Sequence, residues 1–456
     1  MLMIDLEKAS REELLQLIAQ LLAQQQLLQE RVKQLEAELA SSRGGNGPSS
    51  SAPLFVKPNR STRKKKRRKQ RAHGFARELD PVTARVEHTL EQCPKCQVAL
   101  TGRRVIRTRR IIELPPVQAQ VVEHQLIERA CPQCQKRWAP PVDFASLAVG
   151  QQRFGISVQA EVALLREQCR LPFRVIQDYL KHRFGLRVSV GQLVALVRGL
   201  AQRGKAAVEE LKQQIRGSPV VNGDETTWRE NGQNGYVWSF STERVRYFVY
   251  DKSRASSVVK EVLGEEFDGV LVSDFYGGYN VHLGLHQRCW VHLLRDIHDL
   301  KDKHAKDQGL RKWAAKVKAI YERAKGYKGP SAKLAAADQQ AERVRRQREY
   351  EQELLKVCRP HLRKQRVQSR LCERIERFLP ELFVFVADPR VPSDNNAAER
   401  SVREVVVSRK ISGGTRSEKG SEAKGILASL FGTWRLQGQD FYQCCLSLLA
   451  ANIPTI

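Results

Sequence analysis

The sequence lacks any apolar run that approaches the ~18 consecutive residues of a membrane-spanning helix. Its first residues lack a secretory signal pattern, because Asp5, Glu7 and Lys8 interrupt any apolar segment. It also lacks the cysteine density of a disulfide-rich secreted domain, with 10 cysteines in 456 residues. We therefore expect a cytoplasmic protein of a reducing compartment, with no membrane partner.

Acidic residues are scarce relative to basic ones. The 50 Asp and Glu residues against 78 Lys and Arg leave a formal net charge of +28. Such an excess favours a polyanionic partner, and nucleic acid is the usual one. A surface charged only for solubility is the alternative, but acidic residues serve that purpose better. The composition therefore predicts a nucleic-acid-binding protein.

Residues 1–42 contain a predicted helix with leucine at every seventh position. Such a seam predicts a dimeric coiled coil, and so a homo-oligomer; a helix that packs within its own chain is the alternative. The leucines are Leu14, Leu21, Leu28 and Leu35.

Residues 43–80 collect Ser, Gly and Pro and then become strongly basic, which predicts a flexible basic linker. The basic run repels itself unless phosphate neutralises it, so we expect a non-specific DNA contact, with a solvated tail as the alternative. Its cations are Arg63, Lys64, Lys65, Lys66, Arg67, Arg68, Lys69 and Arg71.

Two matched C-P-x-C pairs mark residues 81–145. They can present four thiolates to one structural Zn²⁺, which would supply folding free energy on the order of 10 kcal/mol. Alternating residues over 104–114 and 117–128 predict a hairpin between the pairs, and hence a zinc ribbon. A redox pair is the alternative, but no thioredoxin-like pattern accompanies it. The predicted ligands are Cys93, Cys96, Cys131 and Cys134.

Residues 150–210 carry apolar residues at helical spacing over 158–167, 173–183 and 190–201. The breaks fall at Leu171-Pro172 and Phe184-Gly185, and Ser189 is a candidate cap for the last helix. Three short helices with such breaks suit a helix-turn-helix whose last helix enters a major groove. An ordinary helical spacer is the alternative.

Residues 215–456 begin with strand-like periodicity. Two apolar segments each end in an acid, Asp224 and Asp274, with an alternating hairpin and a helix between them. Strand, hairpin, helix, strand is the order of an RNase H-like α/β domain. An unpaired carboxylate is costly in a core but well placed for a metal at the end of a sheet. The predicted fold class is therefore multidomain α+β.

A third acid, Glu399, follows a capping cluster at 393–395 on a predicted helix. Its ordinary explanation is the helix dipole and a pair with Arg403. Upstream, residues of about 300–380 are charged and alanine-rich at helical spacing, which predicts a helical insertion that grips DNA, assembles the complex, or is only a solvated hairpin. Cys289 and His292 have metal-ligand spacing, but their apolar neighbours favour a buried structural pair.

A series of segments carries a family resemblance. They are Gly223-Asp-Glu-Thr-Thr-Trp228, Ser273-Asp-Phe-Tyr-Gly-Gly-Tyr279, Cys289-Trp-Val-His292, Asp394-Asn-Asn-Ala-Ala-Glu-Arg400 and Arg409-Lys410, in this order. The chain resembles the bacterial insertion-sequence-66-type transposases along nearly its whole length, because these also carry a coil, a basic linker, a zinc segment and a helix-turn-helix. One departure is Thr227, where the family usually has glycine.

The resemblance implies that Asp224, Asp274 and Glu399 form the DDE triad of an RNase H fold. Hard oxygen ligands favour two Mg²⁺ or Mn²⁺ ions, roughly 4 Å apart, that serve phosphodiester cleavage and strand transfer. The expected partners are terminal inverted repeats, target DNA and accessory proteins of the same element, in the bacterial nucleoid. Candidate DNA contacts are Arg400, Arg403, Arg409 and Lys410.

Two alternatives to this function stay open at the level of sequence. One is a non-catalytic DNA-binding protein, either a regulator or an inactive transposase relic, which would bind DNA without metal-dependent cleavage. The other is a different RNase H-type nuclease, such as a junction resolvase, which would cut DNA but never join it.

Overall fold

The computed structural model describes residues 25–26, 29–30, 81–142, 144, 147–148 and 152–450. It consists of two units, residues 1–113 and 114–456. Residues 25–26 and 29–30 are helical and exposed, in keeping with the predicted coil. The rest of that coil and the basic run lie outside the described residues, so both remain predictions.

The hairpin predicted over residues 104–114 and 117–128 was wrong, because these residues form no strand. Their apolar side chains face solvent, with Ile106 92% and Val121 94% exposed. Alternation stabilises a strand only where one face is buried against a partner. The strands that do form are β1 (Arg129–Ala130) and β2 (Arg137–Trp138), an antiparallel pair around the second C-P-x-C turn.

The predicted helices of residues 150–210 form with the predicted breaks. Pro172 precedes the second helix, and Gly185 ends it in a left-handed conformation with φ 66°. Ser189 caps the third helix: its Oγ accepts from the Gln192 N–H at 3.2 Å, while Gln192 Oε1 accepts from the Ser189 N–H at 3.0 Å. The helices are α1 (Ile156–Ala163, continued by a π-helical turn, Leu164–Gln168), α2 (Phe173–Phe184), α3 (Val190–Arg203) and α4 (Lys205–Arg216).

A five-stranded mixed sheet follows, in the spatial order β5-β4-β3-β6-β7. The first three strands along the chain are antiparallel, and β6 and β7 run parallel to β3. This confirms the predicted succession of strand, hairpin, helix and strand. The elements are β3 (Val220–Glu230), β4 (Gln233–Ser241), β5 (Arg246–Asp251), α5 (Ser257–Leu263), β6 (Val270–Ser273) and β7 (His286–Arg288).

A helical cluster with its own apolar core follows β7. Trp290, Trp313, Leu354 and Phe383 lie at the centre of this core and are almost fully buried. Each helix turns one apolar face inward, which is how so charged a stretch folds. The cluster begins at residue 290, before the predicted start of the insertion. Its helices are α6 (Trp290–Lys303), α7 (Gln308–Lys325), α8 (Ala336–Cys358), α9 (Ser369–Arg377) and α10 (Val384–Ala387).

The last three helices are α11 (Asn396–Ser412), α12 (Glu418–Leu436) and α13 (Phe441–Ala450). Val405 of α11 packs with Trp228, Val237 and Phe248 on one face of the sheet. The other face, with Trp238 and Phe240, packs in the core that also contains α3 and α4. Among the described helices, none is both long and apolar enough to cross a membrane.

The loop after α11 is bonded to the end of β3. The Thr415 N–H donates to the Arg229 carbonyl at 2.8 Å, and Trp228 Nε1 donates to Thr415 Oγ1 at 3.0 Å. The approach requires glycine at position 414, where φ is 118° and a Cβ would lie 2.1 Å from the Arg229 oxygen. This contact anchors the C-terminal end of α11 on the sheet.

Gly414→Ala is expected to destabilise the protein by more than the roughly 1–2 kcal/mol that a left-handed alanine ordinarily costs, because the backbone must also move away from Arg229. The measurement is the unfolding temperature. Gly413→Ala is the matched control, since Gly413 is also left-handed, with φ 72°, but a Cβ there would meet nothing within 4 Å. Equal shifts for the two variants would contradict this reading of the loop.

Candidate active site

Asp224 lies within β3, directly after Gly223. A Cβ at Gly223 would lie 2.9 Å from Tyr279 Cε1, so glycine lets the tyrosine ring pack against the strand. The Asp224 carboxylate accepts a hydrogen bond from the Glu225 N–H at 2.9 Å. The strand thus holds the first acid half-buried beside a packed aromatic ring.

Asp274 follows the last residue of β6. Because Val220–Asn222 pair in parallel with Val270–Val272, the two acids lie towards the same end of the sheet. Asp274 Oδ1 accepts from the Tyr276 N–H at 2.9 Å, and its carbonyl accepts from Ser273 Oγ at 2.9 Å and from Arg288 Nη1 at 2.8 Å. Side chain and main chain of the second acid are therefore both fixed.

Glu399 lies in the first turn of α11, and Asn395 positions that turn. Asn395 Nδ2 donates to the Gly223 carbonyl at 2.7 Å, one residue before Asp224, and the Asn395 N–H contacts Cys289 Sγ at 3.1 Å. Glu399 Oε1 lies 3.6 Å from His292 Nε2. Among the described residues the ion-pair contact of Glu399 is with His292, so the ordinary explanation by a pair with Arg403 does not hold. Glu399 faces the other acids instead.

The three carboxylates are close enough to influence one another electrostatically. Burial raises the pKa of Asp224 to about 7, and the negative charges of Glu225, Asp274 and Glu399 add to this rise. The structure therefore brings the three predicted acids together. Repulsion of this kind is what a bound cation would relieve.

The donor atoms around the acids fit a hard divalent cation. Glu399 Oε1 and Asn395 Oδ1 are buried and have no hydrogen-bond partner in the described part of the chain. Oxygen donors of this kind suit Mg²⁺ or Mn²⁺. Within the same residues, however, no group of three or more His, Cys, Asp or Glu is arranged to hold one ion. The site therefore offers oxygen donors without a closed three-residue cage.

Several supporting residues were missed from the sequence. The Glu225 side chain is 3% exposed and accepts from Tyr279 Oη at 2.5 Å and from Arg254 Nε at 2.8 Å. The Arg254 guanidinium stacks over Tyr276, 3.7 Å from the ring centroid. These bonds join β3 to the loop that follows Asp274. Glu225 and Tyr279 both lie in sequence segments that resemble the family. Only the tertiary structure shows that Glu225 connects β3 to Tyr279 and Arg254.

Arg288 forms a buried polar network behind Asp274. The side chain is 1% exposed and binds Glu381 Oε2 at 2.5 Å and Asn280 Oδ1 at 2.5 Å, besides the Asp274 carbonyl. Glu381 comes from the segment that leads back out of the helical cluster. The network therefore connects that cluster to the second acid. No local pattern marks a buried arginine at the end of a strand.

Cys289 and His292 differ in their surroundings. Cys289 is fully buried, and burial raises the pKa of its thiol, which agrees with the predicted structural role. His292 is half-buried beside Glu399, so its place in the site was missed. The sequence feature that could have indicated this role is the position of His292 in the first turn of α6, directly after β7, the strand that pairs with β6 before Asp274.

The predicted DNA contacts on α11 lie in two environments. Arg400, Arg403 and Lys410 are exposed. Arg409 instead donates to Thr226 Oγ1 at 3.2 Å and bonds to Thr227, the residue that departs from the family glycine. Burial lowers the pKa of Arg409. A threonine at position 227 is therefore accommodated by contact with α11, while the DNA contacts themselves remain predictions.

The two C-P-x-C turns have the same local geometry. In each, the N–H of the first cysteine donates to a carbonyl five residues later, at 2.9 Å for Cys93 and 2.8 Å for Cys131, and the following glutamine, Gln97 or Gln135, has φ 54°. Backbone N–H groups, led by those of Cys96 and Cys134, lower the pKa of Cys93 and Cys131 respectively. Each turn thus favours the thiolate, the form that binds metal, at its first cysteine, whereas the hydrogen bond to Cys93 raises the pKa of Cys96.

Acids gathered at the end of a mixed sheet define a candidate site for divalent-metal chemistry. Residues 151–423 match the family model described as "Transposase IS66 family", and residues 91–135 match the "zinc-finger binding domain of transposase IS66". The first match covers more than half of the chain. The chain therefore belongs to the IS66 family of transposases.

A curated relative adds a shorter similarity. The "Uncharacterized protein y4jO" of Sinorhizobium fredii (strain NBRC 101917 / NGR234) is 35% identical over 74 residues. The match covers 16% of this chain and 23% of the relative, so the chain spans less than a quarter of that protein.

Asp224→Asn is expected to raise the unfolding temperature of the metal-free protein above neutral pH. The folded pKa of about 7 exceeds the ordinary value of about 4, so the folded wild type binds a proton that the unfolded chain releases. Wild-type stability therefore falls as pH rises from about 4 to about 7, and the asparagine variant escapes this loss. Thermal melts in EDTA across this range measure it.

The control for this experiment is Asp338→Asn, which removes an exposed carboxylate from α8. A benefit of Asp224→Asn that is constant over the whole pH range would contradict the assignment of a raised pKa to Asp224.

Arg288→Met is expected to destabilise the protein by about 3–5 kcal/mol, because it leaves Glu381 without its buried partner. Arg288→Met/Glu381→Leu should recover part of this loss, since the uncompensated charge is then gone. Denaturant unfolding followed by tryptophan fluorescence measures both. A double variant no more stable than the single one would show that the ion pair is not the source of the effect.

Proposed function

We propose that the chain is the transposase of an insertion sequence, which cleaves DNA at the element's ends and joins the freed ends to target DNA. The observation that carries this proposal is the convergence of Asp224, Asp274 and Glu399 beside a five-stranded sheet in the order β5-β4-β3-β6-β7. That topology fits an RNase H-like domain interrupted by the helical cluster. The match to the transposase family supports it.

Asp224, Asp274 and Glu399 would together hold the two proposed Mg²⁺ or Mn²⁺ ions. When bound, the ions supply activation of the attacking oxygen and stabilisation of the leaving 3′-oxygen.

The protein residues around the acids keep them in place for this reaction. Asn395 fixes the start of α11 against β3, so that the Glu399 carboxylate stays near Asp224. Arg288 holds the main chain of Asp274 through its carbonyl. His292 lies beside Glu399, with its Nε2 3.6 Å from Glu399 Oε1. Fixed ligands of this kind need no reorganisation in the transition state.

The other regions are proposed to select and pair the DNA. The four cysteines of the C-P-x-C turns would hold one structural Zn²⁺, and the zinc segment with helices α2 and α3 would recognise the inverted repeats. One face of helix α3 is buried, because Leu193, Leu196 and Leu200 pack in the main core. The exposed N-terminal turn of α3 is therefore the part that would contact DNA. The N-terminal coil would pair two subunits, each holding one end of the element.

Glu399→Gln is expected to abolish strand cleavage on labelled DNA that carries the element's own ends, with Mg²⁺ or Mn²⁺ present. Loss of a metal ligand should exceed the roughly 10–100-fold cost of losing a supporting residue, while DNA affinity persists. The readouts are nicking at the ends, transfer of the 3′-hydroxyl to target DNA, and binding.

The matched control is Glu422→Gln, which removes an exposed glutamate of α12 and should cleave like the wild type. Metal-dependent cleavage that survives Glu399→Gln would refute the assignment of this acid. Binding without cleavage by the wild type, even with the element's other proteins added, would indicate a DNA-binding protein instead.

A further inference from the structure

Helix α7 of the helical cluster has one buried and one cationic face. Its apolar side chains, among them Leu310, Trp313 and Val317, form part of the cluster core. The opposite face is exposed along the whole helix, which at 1.5 Å per residue is about 27 Å long. The cations of this face are Arg311, Lys312, Lys316, Lys318, Arg323 and Lys325.

Helical geometry arranges these cations in two rows. At 100° per residue, Arg311, Lys318 and Lys325 follow one line, and Lys312, Lys316 and Arg323 follow another. The small residues Ala315 and Ala319 lie between the rows. The result is a shallow track bordered by positive charge on both sides.

Most of this charge is not neutralised by the protein. In the described part of the chain, Arg311, Lys312, Lys316 and Lys318 form no ion pair. Glu322 is the one acid on the face. Of the acids on neighbouring helices, Glu353 of α8 binds Arg323 at one border of the face, whereas Asp296 binds Arg374 elsewhere in the cluster. The long helix α8 is different, because Glu342 and Glu349 bind its Arg345 and Arg346.

The C-terminal end of α7 adjoins the candidate active site. Tyr321 stacks on Trp290, with ring centroids 4.8 Å apart, and its hydroxyl lies 3.2 Å from Ser393 Oγ. Lys325 lies over the Tyr321 ring, and its pKa is raised mainly by Tyr321, with a further contribution from the charge of Asp394. Ser393 and Asp394 directly precede the turn that carries Asn395 and Glu399. The cationic track therefore ends beside Ser393 and Asp394, in the segment that leads into the helix of the third acid.

We infer that this face of α7 binds the phosphate backbone of a DNA duplex and guides it to the three carboxylates. A polyanion fits the uncompensated charge, and a flat row of small residues lets the duplex approach closely. An acidic protein segment is the other polyanion that fits such a face. Continuity with the proposed DNA-cleaving site favours DNA. The inference rests on the proposed function only in taking DNA as the substrate.

The first test is lysine modification of the full-length protein with an amine-reactive acetylating reagent, with and without duplex DNA of arbitrary sequence. Lys312, Lys316 and Lys318 should lose reactivity on DNA binding, as read by mass spectrometry. Lys260 of α5 and Lys356 of α8 are exposed controls and should keep their reactivity when DNA is added. Equal reactivity of the α7 lysines in both samples would overturn the inference, as would their protection only by an acidic polypeptide.

The second test is the salt dependence of DNA binding. Replacing Arg311, Lys312, Lys316 and Lys318 by glutamine should lower the slope of log K against log salt concentration by about 3–4, at roughly 0.9 for each lost phosphate contact. The matched control replaces Arg343, Arg345, Arg346 and Arg348 of α8, which removes the same formal charge. An equal change in both variants would show only an effect of net charge and would overturn the inference.

Neither test requires cleavage. A wild type that protects its α7 lysines but cuts no DNA would contradict the proposed catalysis and leave the surface standing. A wild type that cuts DNA without such protection would contradict the surface alone.

Discussion

The hydrogen bond from Asn395 Nδ2 to the Gly223 carbonyl joins the two parts of the chain that the candidate site depends on. Asp224 and Glu399 are far apart in sequence and carry like charges, so they repel each other once both are ionised. A neutral, buried amide–carbonyl bond holds their backbones together without neutralising either carboxylate. An ion pair at that place would compete with a bound cation for the same carboxylate. The chemistry therefore favours an amide here.

The second acid is held by a different device. Arg288 is buried and charged, but it acts on the carbonyl of Asp274 and leaves the carboxylate free. Its counter-charge is Glu381, at the exit of the helical cluster. The chain leaves the sheet for the helical cluster at Trp290, just after β7. It comes back to the sheet at Ser393, just before α11. Both ends of the cluster are thus bonded to the site, and a displacement of its helices would reach the acids through short connections.

This arrangement places function in conflict with stability. The raised pKa of Asp224 means that its ionised form destabilises the folded protein. Glu399 Oε1 and Asn395 Oδ1 are buried and have no hydrogen-bond partner within the residues that the structure describes. The large apolar cores on both sides of the sheet and in the helical cluster offset such costs. Unsatisfied buried oxygens at such a site are expected where a ligand completes the hydrogen bonding.

Local sequence determined the parts of this protein that depend on near neighbours. Pro172 and Gly185 set helix limits, Ser189 with Gln192 began a helix, and alternation identified the strands that end in Asp224 and Asp274, because each signal acts within a few residues. Tertiary structure decided the rest. Residues 104–114 alternate but gain no buried face, Glu399 faces His292 rather than Arg403, and Arg409 turns to the sheet. Those outcomes depend on which distant surface lies opposite, and one segment of sequence does not contain that information.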